Sequence, residues 1–357
     1  MQRTVVELVR SRWPSAEVTR VERLGPDTGD GATEKAEGFG EPLRIRLSAE
    51  GREHTLVLRT VTANEFGHDR RADRAEAMLL DYDTFNLIPR HVRAIDVGAV
   101  LSDGRLLSLR DAGEFYVLTT YANGTLYVDD LRGIADGRDA RPLDLERCEA
   151  LARYLVALHA PPLEGPAAYR RAIRDLIGHG EGLFGVVDSY PATTPGASPE
   201  RLMRIEQKCV EWRWRLKGRA ERLRRTHGDF HPFNVVFGEK ADFTLVDASR
   251  GCQGDPADDV VAMAINYVFF GLESPGAWRR GLRALWRRFW GTYLEGSHDA
   301  ALLESVAPYL AWRGLVISDP RFYPHLKAES RDRLLDWVEA ALAAPRFDPE
   351  SAEGLCP

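Results

Sequence analysis

The spacing of apolar residues changes along the chain, and that change limits the folds open to it. Three runs, EVTRVERLG (17–25), PLRIRLSAEG (42–51) and EHTLVLRTV (53–61), alternate apolar and polar residues. That is the period of a half-buried strand. The tripeptide AEG followed by RE reads as a tight turn joining the second and third runs. A Gly-rich, charged segment, PDTGDGATEKAEGFGE, separates the first two and reads as loop. Residues 69–87 then switch to helical spacing, with Ala72, Ala75, Met78, Leu79, Tyr82 and Phe85 on one face and Pro89 as the stop. Residues 91–124 return to strand-like runs with turns at SDG and DAG. From about residue 126 helical periods dominate, and strand signals reappear only around 226–248, as NVVFG and FTLVDA. A β-rich part, a connector and a larger helical part with one inset hairpin define an α+β chain.

At 357 residues the chain is too long for one small core and suits one large domain or two lobes. The net charge of -6 argues against a general nucleic-acid binder. Cysteines at 148, 209, 252 and 356 form no C-x-x-C pair, which points to reduced thiols in a cytoplasmic protein. The first residues, MQRTVVELVRSRWP, carry an amphipathic stripe at Val5, Val6, Leu8 and Val9, and predict a short helix before Pro14 rather than a signal peptide. No run reaches the ~18 apolar residues of a membrane helix.

The densest polar cluster is HGDFHPFN, residues 227–234. His227 and His231 stand four apart, a spacing that zinc enzymes use on a helix. Gly228 and Pro232 make a continuous helix unfavourable here, so each histidine reads better as a loop-former or core residue. Phosphoryl transfer needs a carboxylate to orient the attacking hydroxyl, oxygen ligands for Mg²⁺, and cationic charge near the phosphates. Asp229 and Asn234, five apart on a tight loop, can supply the first and part of the second. Asp247, at the end of the returning apolar strand, supplies another oxygen ligand. Mg²⁺ prefers one or two carboxylates plus substrate phosphates.

HGDFHPFN, followed by LVDASRGCQGDPADD, resembles the aminoglycoside phosphotransferase and choline-kinase-like superfamily, relatives of protein kinases. The family pattern is H-G-D-x-x-x-x-N, an aspartate thirteen residues on, then G-D-P-x-x-D. His227, Gly228, Asp229, Asn234, Asp247, Gly254, Asp255, Pro256 and Asp259 fill it. The resemblance implies a bilobal, protein-kinase-like fold, with an N-lobe over 1–122 and a helical C-lobe over 123–357. It implies Asp229 as catalytic base, Asn234 and Asp247 as Mg²⁺ ligands, and His227, Asp255 and Asp259 as supports of the loop and the next helix. LARYLVALHA resembles the helix that precedes this loop, and FYVLTTYANG (115–124) resembles the inter-lobe connector. Adenine of ATP, or guanine of GTP, would then meet backbone groups at Thr119, Thr120 and Tyr121.

Arg59 stands where the family's third strand carries a lysine on the phosphates. Arginine brings charge and a bidentate fork rather than a point charge, and a surface role on an edge strand is the other reading. Its partner would be Glu76, with Asp73 as rival. Gly29 and Gly31 could offer backbone amides to phosphate, or form only a hairpin tip, since no G-x-G-x-x-G is present. The implied activity is nucleotide-dependent phosphorylation of a hydroxyl on a small molecule, of antibiotic type (aminoglycoside, nucleoside or other). The alternatives are a metabolite kinase of choline, sugar or amino-alcohol type, or a non-catalytic nucleotide binder. Balanced charge after residue 260, including WRRGLRALWRRFW (278–290), argues against a highly cationic acceptor. Trp278, Trp286, Phe289 and Trp290 there read as helix core. The irregular stretch 184–199 is a candidate lid.

Overall fold

The computed structural model describes residues 2–24 and 42–356. Gly29 and Gly31 lie outside the described residues. The chain divides into two compact units, Met1–Thr119 and Thr120–Pro357.

In the first unit, helix α1 (Gln2–Arg12) precedes strands β1 (Glu17–Arg23), β2 (Leu43–Ala49) and β3 (Arg52–Leu58). The strands form an antiparallel sheet in the order β1-β2-β3. Alternation in β2 sends Ile45, Leu47 and Ala49 to one face, where they bury against Val5 and Val9 of α1 and Ala16. The β2–β3 turn is the two residues Glu50 and Gly51, both with positive φ (52° and 74°). Such a turn matches the twist of the strands it joins.

Helix α2 (Arg71–Phe85) follows, then a hairpin of β4 (Gly98–Val100) and β5 (Leu106–Ser108) around the SDG turn. α2 has no buried residue: Met78, Leu79, Tyr82 and Phe85 are half-buried, but Ala72 and Ala75 of the expected face are exposed. The sheet is covered by α1 instead. Residues 113–123 carry no strand, contrary to the alternation read there. A strand needs a ladder partner, and β4 and β5 pair only with each other. Phe115, Tyr116, Val117, Leu118 and Tyr121 are exposed.

The second unit opens with β6 (Thr125–Leu126), α3 (Tyr127–Ala135), α4 (Pro142–His159), α5 (Pro166–Gly178), α6 (Leu183–Asp188) and α7 (Pro199–Leu216). After β7 (Arg224–Arg225) come β8 (Val235–Phe237), β9 (Phe243–Leu245) and β10 (Gln253–Gly254), then α8 (Ala257–Glu273), α9 (Arg283–Ser297), α10 (Val306–Ser318) and α11 (Ala328–Ala343). β8 and β9 form the inset hairpin, with β6 on its outer side and the register Val235↔Leu245. α8 and α10 are apolar nearly all round and buried nearly all round, the mark of central helices. α9 lies along α4, and α10 packs on both α8 and α11. Trp278, Trp286, Phe289 and Trp290 are core.

α7 ends at Leu216, where Lys217 and Gly218 form a turn. One expectation is corrected here. The 184–199 stretch begins with α6 and is then pinned: Arg331 donates to the Pro195 carbonyl and Arg201 to that of Gly196. No residue of it lines the pocket at Asp229, so it is not that pocket's lid. No helix among the described residues is long and apolar enough to cross a membrane.

Asp255, fully buried before α8, accepts both nitrogens of the Arg222 fork (2.7 and 2.8 Å) and the Tyr169 hydroxyl (2.9 Å). Burial opposes its ionisation, and the Arg222 charge outweighs this and lowers its pKa. Asp255→Ala removes the bidentate partner of a buried guanidinium, leaving it only Asp299 (3.1 Å) among the described residues, and is expected to cost about 3–5 kcal/mol, measured as a drop in the urea midpoint. A midpoint within experimental error of the parent's would refute that role.

Candidate active site

The loop 227–234 runs from β7 into β8. Gly228 is at φ 84°, a left-handed conformation that side chains disfavour. A Cβ there would come within 2.2 Å of the Ser249 carbonyl, so the close approach of segment 249–251 demands glycine a second time. Asp259, in the first turn of α8, is completely buried and accepts the backbone N–H groups of His227 (2.8 Å) and Gly228 (2.9 Å). Its Oδ2 also meets His159 Nε2 (3.2 Å), whose Nδ1 contacts the Tyr293 hydroxyl (2.8 Å). Burial raises the Asp259 pKa, but His159 and the two amides outweigh it and the carboxyl sits low. The loop is thus tied to the central helix through its backbone.

Asp229 follows at once. Asn234 Nδ2 donates to its carbonyl (3.0 Å), to its Oδ2 (3.2 Å) and across to the Asp247 carbonyl (3.1 Å). With Nδ2 so engaged, the Asn234 side-chain oxygen is turned to other use. His231 Nδ1 accepts from the Phe233 amide (3.2 Å), so the proton of the neutral ring sits on Nε2, which lies 3.3 Å from Asp229 Oδ2. Arg313 Nη1 lies 2.7 Å from Asp229 Oδ1. Burial opposes ionisation of Asp229, yet the His231 hydrogen bond and the Arg313 charge prevail and hold its carboxyl well below the usual range.

Asp247 ends the hairpin at φ 49°, with its side chain exposed. Arg250 (54°) and Gly251 (89°) are also left-handed. Arg250 pairs with Asp258 (3.0 Å) and donates to the Gly228 carbonyl. A pocket of about 290 Å³ opens beside Asp229, walled by His231, Arg250, Asn266, Trp312 and Arg313, with Glu181 also lining it. The Arg313 and Arg250 guanidinium carbons lie over the Trp312 ring at 3.9 and 4.1 Å.

The structure therefore brings His227, Asp229, Asn234, Asp247 and Asp259 together, with Asp255 at the foot of α8. Arg59 and Glu76 are both exposed and form no ion pair with each other. Asp73 caps α2 instead, accepting the Arg70 amide at 2.7 Å. Thr119, Thr120 and Tyr121 are exposed and irregular. The sequence did not point to several pocket residues, among them Glu181, Arg250, Asn266, Trp312 and Arg313. Arg313 left one legible signal, a lone charge inside the apolar run VAPYLAWRGLVIS of α10.

Two oxygens, from Asn234 and Asp247, suit Mg²⁺ by type, being hard carbonyl and carboxylate donors. They are too few to hold a metal unaided. No group of three His, Cys, Asp or Glu suited to a metal occurs among the described residues, so nucleotide phosphates and water would have to complete any shell.

Residues 90–309 match the phosphotransferase enzyme family (APH), and the chain belongs to that family. It is accordingly a phosphotransferase. No curated protein matches the chain. Among solved structures, a glucosamine kinase in complex with glucosamine, ADP and inorganic phosphate is 22% identical over 64% of this chain, which spans 59% of that protein, at a TM-score of 0.35. A glucosamine kinase in another crystal form is 18% identical, covering 96% of this chain and 94% of that one, at a TM-score of 0.38. A choline kinase from Streptococcus pneumoniae is 14% identical, covering 96% and 99%, at a TM-score of 0.35. At such TM-scores these likenesses carry no argument about the site.

Proposed function

We propose that the chain moves the γ-phosphoryl group of ATP or GTP to a hydroxyl of a small polar acceptor seated beside Asp229. The observation that carries this reading is one ionised carboxylate, fixed from two sides by Asn234 and Arg313, in the wall of a pocket. The acceptor hydroxyl donates to Asp229. Its oxygen bonds to the γ-phosphorus as the bond to the β–γ bridging oxygen breaks, and the nucleoside diphosphate leaves. A carboxylate held so far below its usual range is a weak base, so its main work is orientation. The proton passes to it once the new bond has formed. This suits a loose transition state, in which positioning outweighs proton abstraction.

Asn234 Oδ1 and an Asp247 carboxylate oxygen are the proposed Mg²⁺ ligands. When bound there, the metal would neutralise charge on the phosphates. Arg59, Glu76 and the 119–121 backbone are kept as the proposed nucleotide contacts, on the motif resemblance alone.

Two features bear on the acceptor. About 290 Å³ is the low end of the range for ligand pockets, which favours a metabolite-sized acceptor over a bulky antibiotic. The Trp312 ring already carries two guanidiniums, so it is poorly placed to cage an ammonium group. Both observations favour a hydroxylated metabolite over an aminoglycoside or choline.

The test is a transfer screen of sugars, polyols and hydroxy acids with ATP and GTP, across a Mg²⁺ series. With the best acceptor, Asp247→Asn should raise the Mg²⁺ needed for half-maximal rate by about tenfold or more. An unchanged Mg²⁺ dependence would remove Asp247 as a ligand, and no transfer to any acceptor would count against the proposed reaction.

A further inference from the structure

Arg313 is the least expected residue in the pocket. It sits in the middle of an apolar helix and is only 8% exposed. One of its nitrogens, Nη1, serves Asp229. The other edge of the guanidinium, Nε and Nη2, is buried and has no hydrogen-bond partner among the described residues. Asp258 Oδ1 lies 3.8 Å from Nη2, too far for a hydrogen bond. Asp258 is drawn instead to Arg250 at 3.0 Å.

A buried charged donor left unmade is costly, and such groups mark places where a partner is missing. Nε–H and Nη2–H project in parallel from one edge, which is the fork that matches the two oxygens of a carboxylate. The side of Asp229 also matters. Asn234, the proposed metal ligand, approaches Oδ2, whereas Arg313 approaches Oδ1. Arg313 also lines the pocket beside Asp229, on the side away from Asn234, so a partner for its free edge is sought in the acceptor rather than in the nucleotide's phosphates.

Resting on the reading of Asp229 above, we propose that Arg313 is the specificity-determining residue for the acceptor, and that the acceptor is a hydroxylated carboxylic acid whose carboxylate takes the Nε–Nη2 edge. Neither nitrogen reaches solvent in the free protein. The carboxylate must draw the guanidinium forward from Trp312, and that movement releases Asp229 Oδ1 for the hydroxyl. A neutral acceptor leaves the edge unpartnered, and a cationic one meets two guanidiniums.

The test uses matched pairs bound to the full chain and followed by calorimetry or ligand-observed NMR. The pairs are D-glucuronate with D-glucose, and D-glycerate with glycerol; D-glucosamine is the cationic control. The carboxylate of each pair should bind about tenfold tighter or more than its neutral partner. Arg313→Lys keeps the charge and loses the fork, and should lose most of that preference. Arg313→Gln should abolish it. Because the wild-type comparison needs no variant, a misfolded Arg313→Gln does not spoil the test. Equal binding within both pairs, tighter binding of glucosamine, or a preference that survives in Arg313→Gln overturns the proposal. So does a variant whose KM rises for ATP and not for the acceptor. Absence of phosphate transfer to a carboxylate that nonetheless binds through Arg313 would defeat the catalytic reading and leave this one standing.

Discussion

Asp229→Asn should lower kcat by about a thousandfold while leaving the KM of the acceptor within a fewfold. The amide keeps the shape of the carboxylate and an oxygen for Arg313. It cannot take the hydroxyl's proton, and its NH₂ group confronts Asn234 Nδ2 or His231 Nε2, both of which donate to Asp229 Oδ2 in the parent. Steady-state kinetics with the best acceptor reads the effect. A loss of less than tenfold would mean that Asp229 does not orient the hydroxyl.

The same variant carries a stability signature with a defined sign. The folded pKa of Asp229 is depressed by His231 and Arg313 against the opposing effect of burial. A depressed carboxylate contributes stability that is fully present above its unfolded pKa, about 3.9, and is lost as pH falls through the folded value. Asp229→Asn should therefore be less stable than the parent at neutral pH, and the gap should begin to close only below about pH 4. A gap that closes between pH 6 and 5 would contradict the Arg313 pair. By the same logic, a fall in activity above about pH 4 cannot come from protonation of Asp229.

Asp259→Asn should separate positioning from chemistry. Asp259 touches no part of the pocket, yet it holds the amides of His227 and Gly228, immediately before Asp229. Replacing one carboxylate oxygen by NH₂ sets a donor against a backbone N–H and removes the charge facing His159. We expect a stability loss of about 3–5 kcal/mol, as for breaking a buried pair. A shift of the loop by about 1 Å is enough for a hundredfold loss in kcat. KM for the acceptor should change little, since the pocket walls on α8 and α10 remain. Chemical unfolding and a kcat-against-KM split test this together. A variant that unfolds earlier but turns over normally would make Asp259 structural only.

Much of the second unit was legible because its signals are local. Amphipathic helices, the hairpin 235–245 and the HGDFHPFN loop each declare themselves within a few residues, through period, Gly and Pro placement, and fixed spacing. The pocket wall was not legible for the opposite reason. Arg313 reaches Asp229 and Trp312 walls the pocket beside it, both from α10, far along the chain, and nothing in the loop's own sequence points to them. His231 is an intermediate case: a loop-forming or core role was read for it, and it does bond the Phe233 amide, but its second contact, on Asp229, was not legible. In the first unit, the strands followed their alternation, whereas α2 and 115–121 did not settle where their apolar residues suggested. Amphipathic pattern says that a face wants cover, without saying which neighbour provides it, and α1 took the sheet.

The β8–β9 ladder has a consequence for how this chain can vary. Only three residue pairs separate Asn234 from Asp247, and the Val246 amide closes the ladder on the Asn234 carbonyl (3.0 Å). The hairpin acts as a ruler with one adjustable end. Residues added at its tip, around Lys240, lengthen the loop and leave the two side chains where they are. A single residue added inside either strand turns every later side chain to the opposite face, Asp247 among them. Length changes in this region are thereby channelled to the tip, and the thirteen-residue interval is a product of the fold rather than a quantity that must be preserved for its own sake.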